Sequence, residues 1–204
     1  MGIGSGTMAG IATLLLFVFG CSSQDEPAHS VPAMPEASSK AVLLPVAAQH
    51  TPGPANCPKG TLPVPGGRVV LGQAGGDAGQ DESPIHTVRV DGFCLDRTEM
   101  TDSGGTLPKL FSTWSAARDA CQARGGRLPT EAEFEKAARG GCELGTDPDH
   151  CDDGDMRPYP WGEGRPTCEL ASHSVVSHRG PQRCSDGPSA ASERSKGVGP
   201  YGHF

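Results

Sequence analysis

Hydrophobic and polar residues alternate along residues 85–90, a pattern typical of a β-strand with one buried face. A tight turn at Asp91-Gly92 follows, and residues 93–96 resume extended structure. Upstream, short apolar runs within residues 60–72 lie on either side of Pro65-Gly66-Gly67. This spacing predicts two short strands separated by a Gly-Gly turn.

A helix is predicted from Trp114 to Arg124, because its apolar residues recur at helical spacing. Ser112 or Thr113 is the expected N-cap, since either hydroxyl accepts a hydrogen bond from the first turn. The predicted buried face consists of Trp114, Ala117 and Cys121.

A second helix is predicted to begin at Thr130 and to end at Gly140-Gly141. Thr130 and Glu133 have the spacing of a capping box, in which each side chain bonds the other residue's backbone nitrogen. The acidic residues of the first turn complement the helix dipole, which explains them without a catalytic role. The predicted buried stripe consists of Phe134, Ala137 and Ala138.

The composition fits one loop-rich domain. The chain has 204 residues with 35% hydrophobic residues, and 29 glycines and 19 prolines predict many turns around a modest core. The formal charge of −7 argues against a nucleic-acid partner, because no basic stripe is present to neutralise phosphates.

The amino terminus indicates export. Residues 11–19 form an apolar run of signal-peptide length, too short to span a bilayer. The following Val18-Phe19-Gly20-Cys21 resembles a bacterial lipobox, so residues 1–21 are interpreted as a lipoprotein signal peptide. The resemblance implies a lipid anchor on Cys21 in the cell envelope, facing the periplasm or the exterior. An ordinary signal peptide cut elsewhere, or an uncleaved anchor, is the alternative.

Residues 22–56 are rich in Ala, Pro and Ser and show little hydrophobic periodicity. Such a segment buries too little surface to offset its ordering entropy, so we expect a disordered tether. The folded domain is therefore expected to span residues 57–204.

The chain has eight cysteines, and seven remain if Cys21 is acylated. An odd number leaves one thiol unpaired. Proximity in the sequence favours Cys142 with Cys151 and Cys168 with Cys184, but spacing alone does not fix connectivity.

Four segments in order resemble the formylglycine-generating enzyme family, also called the sulfatase-modifying factor family. They are Val64-Pro65-Gly66-Gly67-Arg68, residues 90–101, residues 126–140 with the sequence GRLPTEAEFEKAARG, and Tyr159-Pro160-Trp161-Gly162. The resemblance implies an irregular, loop-rich α+β fold related to C-type lectins, here cut short on its C-terminal side.

In complete enzymes of this family a reduced cysteine pair binds copper and oxidises a substrate cysteine to formylglycine. The resemblance places that pair beyond Phe204, so no residue of this chain is nominated as catalytic or copper-binding. Calcium is also implied by the family, but Ala171-Ser172-His173 stands where an Asn ligand is usual. The acidic residues 147–155 miss EF-hand spacing and are interpreted as a solvated loop.

Two functions follow from these patterns. One is an envelope lipoprotein with an incomplete formylglycine-generating-enzyme-like domain that is inactive as this chain. The other is a lectin-like binding or scaffold module without catalysis. The expected partners are the membrane, through the lipid, and a protein or peptide.

Overall fold

The computed structural model describes residues 20–23, 51–72, 82–102, 105–111, 113–177 and 180–204, and for residues 175–177 and 180–182 the backbone alone. The strands are β1 (Ser22–Ser23), β2 (Thr61–Val64), β3 (Gly67–Leu71), β4 (His86–Val90), β5 (Phe93–Asp96), β6 (Ser174–Ser177) and β7 (Gly180–Arg183). The α-helices are α1 (Trp114–Ala123) and α2 (Glu131–Arg139), and short 3₁₀ helices lie at Cys142–Leu144, Asp153–Asp155 and Ser195–Gly197. Mixed elements joined by long loops confirm the α+β fold class.

The described strands form three small antiparallel sheets. One has the order β1-β5-β2, and the other two pair β3 with β4 and β6 with β7. The strands predicted on either side of the Gly-Gly turn are both present, but they belong to different sheets. Gly66 lies between β2 and β3 and exchanges two backbone hydrogen bonds of 3.0 Å with Thr51.

The core is built around β5, in which all four residues are buried. Phe93 is fully buried, and burying a side chain of this size contributes about 1.5–3 kcal/mol. The buried cluster around it consists of Val64, Val69, Val70, Leu71, Val90, Leu95, Ala137, Cys142 and Met156. Residues of β2, β3, β4, β5 and α2 therefore share one core.

The capping box predicted for α2 is confirmed. The Thr130 hydroxyl accepts from the Glu133 amide over 3.2 Å, and the Thr130 amide donates to the Glu133 carboxylate over 2.8 Å. Arg127 also binds this carboxylate with two hydrogen bonds, of 2.8 and 2.7 Å. The chain that enters α2 is thus fixed by one buried carboxylate.

The predicted buried faces of the helices are partly wrong. Phe134 is 44% exposed, and the fully buried long side chain of α2 is instead that of Lys136. In α1, Thr113 is the N-cap and Ala117 and Cys121 are buried as predicted, but Trp114 is 52% exposed. The reason at α2 is electrostatic, because Lys136 has a carboxylate partner inside the domain.

The folded unit includes residues upstream of Cys57. β1 pairs with β5, and Ser22 exchanges two backbone hydrogen bonds of 2.7 Å with Arg127 on its other side. Ser22 is fully buried. The predicted signal segment up to Phe19 and residues 24–50 of the predicted tether lie outside the described residues. Within the described ranges, no helix is long and apolar enough to cross a membrane.

Candidate functional site

Four disulfides involve every cysteine of the chain. They are Cys21–Cys121, Cys57–Cys94, Cys142–Cys151 and Cys168–Cys184. The last two are the pairs that sequence proximity favoured. None of the eight cysteines is free, so the expected unpaired thiol is absent from this arrangement.

Cys21 forms a disulfide in the structure, whereas the lipobox resemblance assigned a lipid anchor to this residue. Its sulfur is bonded to Cys121, with the two Cα atoms 5.4 Å apart. A lipid anchor requires a thioether on the same sulfur, so the two states exclude each other. Both cysteines are buried, because Cys21 directly precedes β1 and Cys121 lies on the inner face of α1.

The oxidation state of the cysteines also decides whether these residues could bind copper. Cu(I) is bound by soft thiolate ligands, and the ligand must be reduced and deprotonated. A disulfide sulfur carries no thiolate, so the cysteine set in this structure does not fit a copper centre. Among the described residues, no group of three or more His, Cys, Asp and Glu side chains is placed to hold a metal ion.

The carboxylates of the acidic loop are engaged locally. Asp152 is the N-cap of the 3₁₀ helix Asp153–Asp155: its side chain accepts from the Gly154 amide over 2.9 Å, and the Asp155 side chain accepts from the Asp152 amide over 3.0 Å. Asp147 accepts from the Asp149 amide over 3.1 Å and lies 3.0 Å from the His150 ring. The amide of Asp149 lowers the pKa of Asp147, assisted by His150.

A buried charged network lies between α2 and the chain end. Lys136 Nζ donates to both carboxylate oxygens of Glu143, over 2.8 and 2.7 Å. The Tyr201 hydroxyl donates to the same carboxylate and accepts from the Gly141 amide over 3.0 Å. Burial lowers the pKa of Lys136, although Glu143 opposes the shift, and burial together with Glu143 raises the pKa of Tyr201. This network joins α2 to the C-terminal segment.

An apolar cavity of about 160 Å³ opens beside this network. Its walls come from β5, α2 and the C-terminal segment, and include Leu95, Ala137, Ala138, Pro160, Phe134 and Phe204. Its titratable lining residues are Asp96 and His203, which are buried, and Glu99, which is partly buried. Burial raises the pKa of Glu99 and lowers that of His203. An apolar pocket with a few polar groups is suited to a hydrophobic side chain of a ligand. We call it the Glu99–His203 pocket.

Pro160 of the Tyr159-Pro160-Trp161-Gly162 segment lines the pocket. The rings of Tyr159 and Trp161 stack with centroids 5.0 Å apart and planes 4° apart. Arg157 donates to the Pro160 carbonyl over 3.2 Å and so fixes the turn. The sequence nominated neither Glu99 nor His203, although Glu99 lies in a family-like segment, because burial of a lone carboxyl or imidazole leaves no periodic signal.

The family model for the sulfatase-modifying factor enzyme 1-like domain matches residues 102–204. A comparison with curated proteins gave no match. The matched range includes both helices, the acidic loop, the charged network and most of the pocket.

Proposed function

The chain belongs to the sulfatase-modifying factor family, and from this premise we propose that it is an exported envelope protein that does not itself oxidise thiols. The family links it to formylglycine generation. The observation that carries the proposal is the pairing of all eight cysteines in disulfides. Copper-dependent thiol oxidation needs a reduced ligand pair, and this arrangement supplies none.

Disulfides also support the proposed compartment. They persist where the environment is oxidising, as in the bacterial periplasm or at the cell surface, and are rare in the cytosol. Two of the four bonds join residues that are 100 and 37 positions apart, and three of the four have at least one buried partner. A domain held in this way suits a protein that functions outside the inner membrane.

The test is a copper titration and an activity assay on the oxidised protein. Cu(I) is offered in competition with a chromophoric chelator, and a sulfatase-derived peptide with its target cysteine is then incubated with the protein in air. We expect no copper transfer from the chelator and no aldehyde in the peptide by mass spectrometry. A complete formylglycine-generating enzyme serves as the positive control. Aldehyde formation that stops when copper is chelated would refute the proposal.

A second function, peptide binding without catalysis, is favoured by the Glu99–His203 pocket. Phe134 lines the pocket and remains 44% exposed, which leaves an aromatic ring at the entrance. Large exposed apolar side chains beside a cavity are typical of recognition sites.

This function is tested by fluorescence anisotropy with labelled sulfatase-derived peptides. Phe134→Ser is expected to weaken binding about tenfold, since removal of a well-placed aromatic anchor costs on the order of 1–2 kcal/mol. Leu144→Ser is the matched control, because Leu144 is 48% exposed but does not line the pocket. Equal losses in both variants would show that the pocket is not the binding site.

A further inference from the structure

The backbone nitrogen of Cys21 faces a buried carboxylate. It donates to Asp96 Oδ2 over 2.9 Å, and the Asp96 side chain is only 6% exposed. Arg124 binds the same carboxylate through two bonds, of 2.8 and 2.9 Å, but is itself 46% exposed. A negative charge thus lies within ion-pair distance of the nitrogen of Cys21.

Backbone hydrogen bonds tie the chain into the folded domain at Cys21. The Cys21 carbonyl accepts from the Asp96 amide over 3.0 Å, and Cys21 is 5% exposed. Ser22 is then bonded to β5 on one side and to Arg127 on the other. Cys21 and the two residues after it are therefore needed by the domain.

The sequence before Cys21 matches this boundary. An apolar run ends at Phe19, and Val18 and Gly20 are the third and first residues before the Gly20–Cys21 bond. A small residue at each of these positions after an apolar run is the pattern cut by signal peptidases.

We propose that the Gly20–Cys21 bond is hydrolysed on export and that the new α-ammonium group of Cys21 forms a buried ion pair with Asp96. Water adds across the peptide bond: Gly20 leaves as a carboxylate, and the Cys21 nitrogen takes up a proton to become an ammonium. The sulfur of Cys21 stays bonded to Cys121 and carries no lipid. Processing thereby replaces the uncharged amide donor of the Asp96 carboxylate with an ammonium group, which adds ionic attraction to the hydrogen bond.

Burial favours this pairing. Water screens the exposed guanidinium of Arg124 more than it would screen an ammonium group at the Cys21 nitrogen. Asp96 is held by the sheet because it ends β5, whose backbone is paired with both β1 and β2. The Asp96 carboxylate that would bind the new amino terminus is therefore held in place by the fold.

The first experiment determines the mature terminus. The protein is purified from the envelope of an expressing bacterium without reductant, and its intact mass and N-terminal peptide are measured. We expect a chain that begins at Cys21, with two hydrogens lost for each of four disulfides and no diacylglyceryl group. A different first residue, or a diacylglyceryl group on Cys21, overturns the proposal.

The second experiment measures the ion pair by reductive methylation of the α-amine at neutral pH, followed by peptide mass spectrometry. We expect labelling of native wild-type protein to be about tenfold slower or more than in urea, because the amine reacts only after local opening. Asp96→Asn should lose this protection, whereas Asp102→Asn should keep it, since Asp102 is exposed and forms an ion pair with Lys109 at 3.6 Å. If Asp96→Asn does not fold, the test rests on the rates at which the α-amine of the wild-type protein is labelled in native buffer and in urea. Equal rates in those two conditions overturn the ion pair.

Discussion

Replacing Lys136 with Met is the sharpest test of how α2 is held in the domain. Lys136 has no exposed side-chain surface and Glu143 only 9%. Met fills a similar volume but leaves the Glu143 carboxylate buried, with the Tyr201 hydroxyl as its one remaining side-chain donor among the described residues. Breaking a buried ion pair by removing one partner costs about 3–5 kcal/mol, chiefly from the charge that remains.

The measurement is the urea unfolding midpoint of the oxidised protein, followed by circular dichroism. With a slope of about 2 kcal/mol per molar urea, a loss of about 3–5 kcal/mol lowers the midpoint by about 1.5–2.5 M. Lys196→Met is the matched control, because Lys196 binds Glu169 over 2.6 Å while both side chains are about two-thirds exposed. Such surface pairs contribute about 0–1 kcal/mol.

The double variant Lys136→Met/Glu143→Gln separates charge from packing. Gln keeps an oxygen that accepts from Tyr201 and removes the orphaned charge, so we expect it to recover a large part of the loss. Equal midpoints for Lys136→Met and Lys196→Met would refute the reasoning. No recovery in the double variant would show that the volume of the Lys side chain matters more than its charge.

Three further changes test separate parts of the fold by the same unfolding assay. Thr130→Ala should cost about 1 kcal/mol by removing the N-cap of α2, and Thr130→Ser should restore it; an unaltered midpoint in the Ala variant would contradict the capping box. Gly141→Ala should cost about 1–3 kcal/mol, because its Cβ would overlap Lys136 Nζ and lie 2.9 Å from a backbone carbonyl, whereas Gly187→Ala has open space and should be neutral. Because burial lowers the pKa of His203 from 6.5, the unfolded state binds a proton first as the pH falls. Stability should therefore be full above pH 6.5 and lost as the pH falls through the lowered pKa, and a His203→Gln variant with the same fall between pH 7 and 5 would contradict this assignment.

The sequence determined the local elements because their signals are local. The Thr130–Glu133 capping box depends on two residues three positions apart, and the strand at His86–Val90 shows its alternation within itself. The segment around α2 also contributed to the family resemblance, and the match to residues 102–204 confirms the family.

Only the tertiary structure decided which long-range partners these elements meet. Lys136 on α2 is buried because Glu143 approaches it from the next turn of chain, and periodicity assigns a lysine to the surface. Cys21 and Cys121 are 100 residues apart in sequence, so no spacing rule connects them. The lipobox resemblance used only the residues beside Cys21, whereas the disulfide and the bond to Asp96 depend on how β5 and α1 are placed in space. Local sequence fixes backbone conformation within a few residues, but burial and charge pairing depend on contacts across the whole domain.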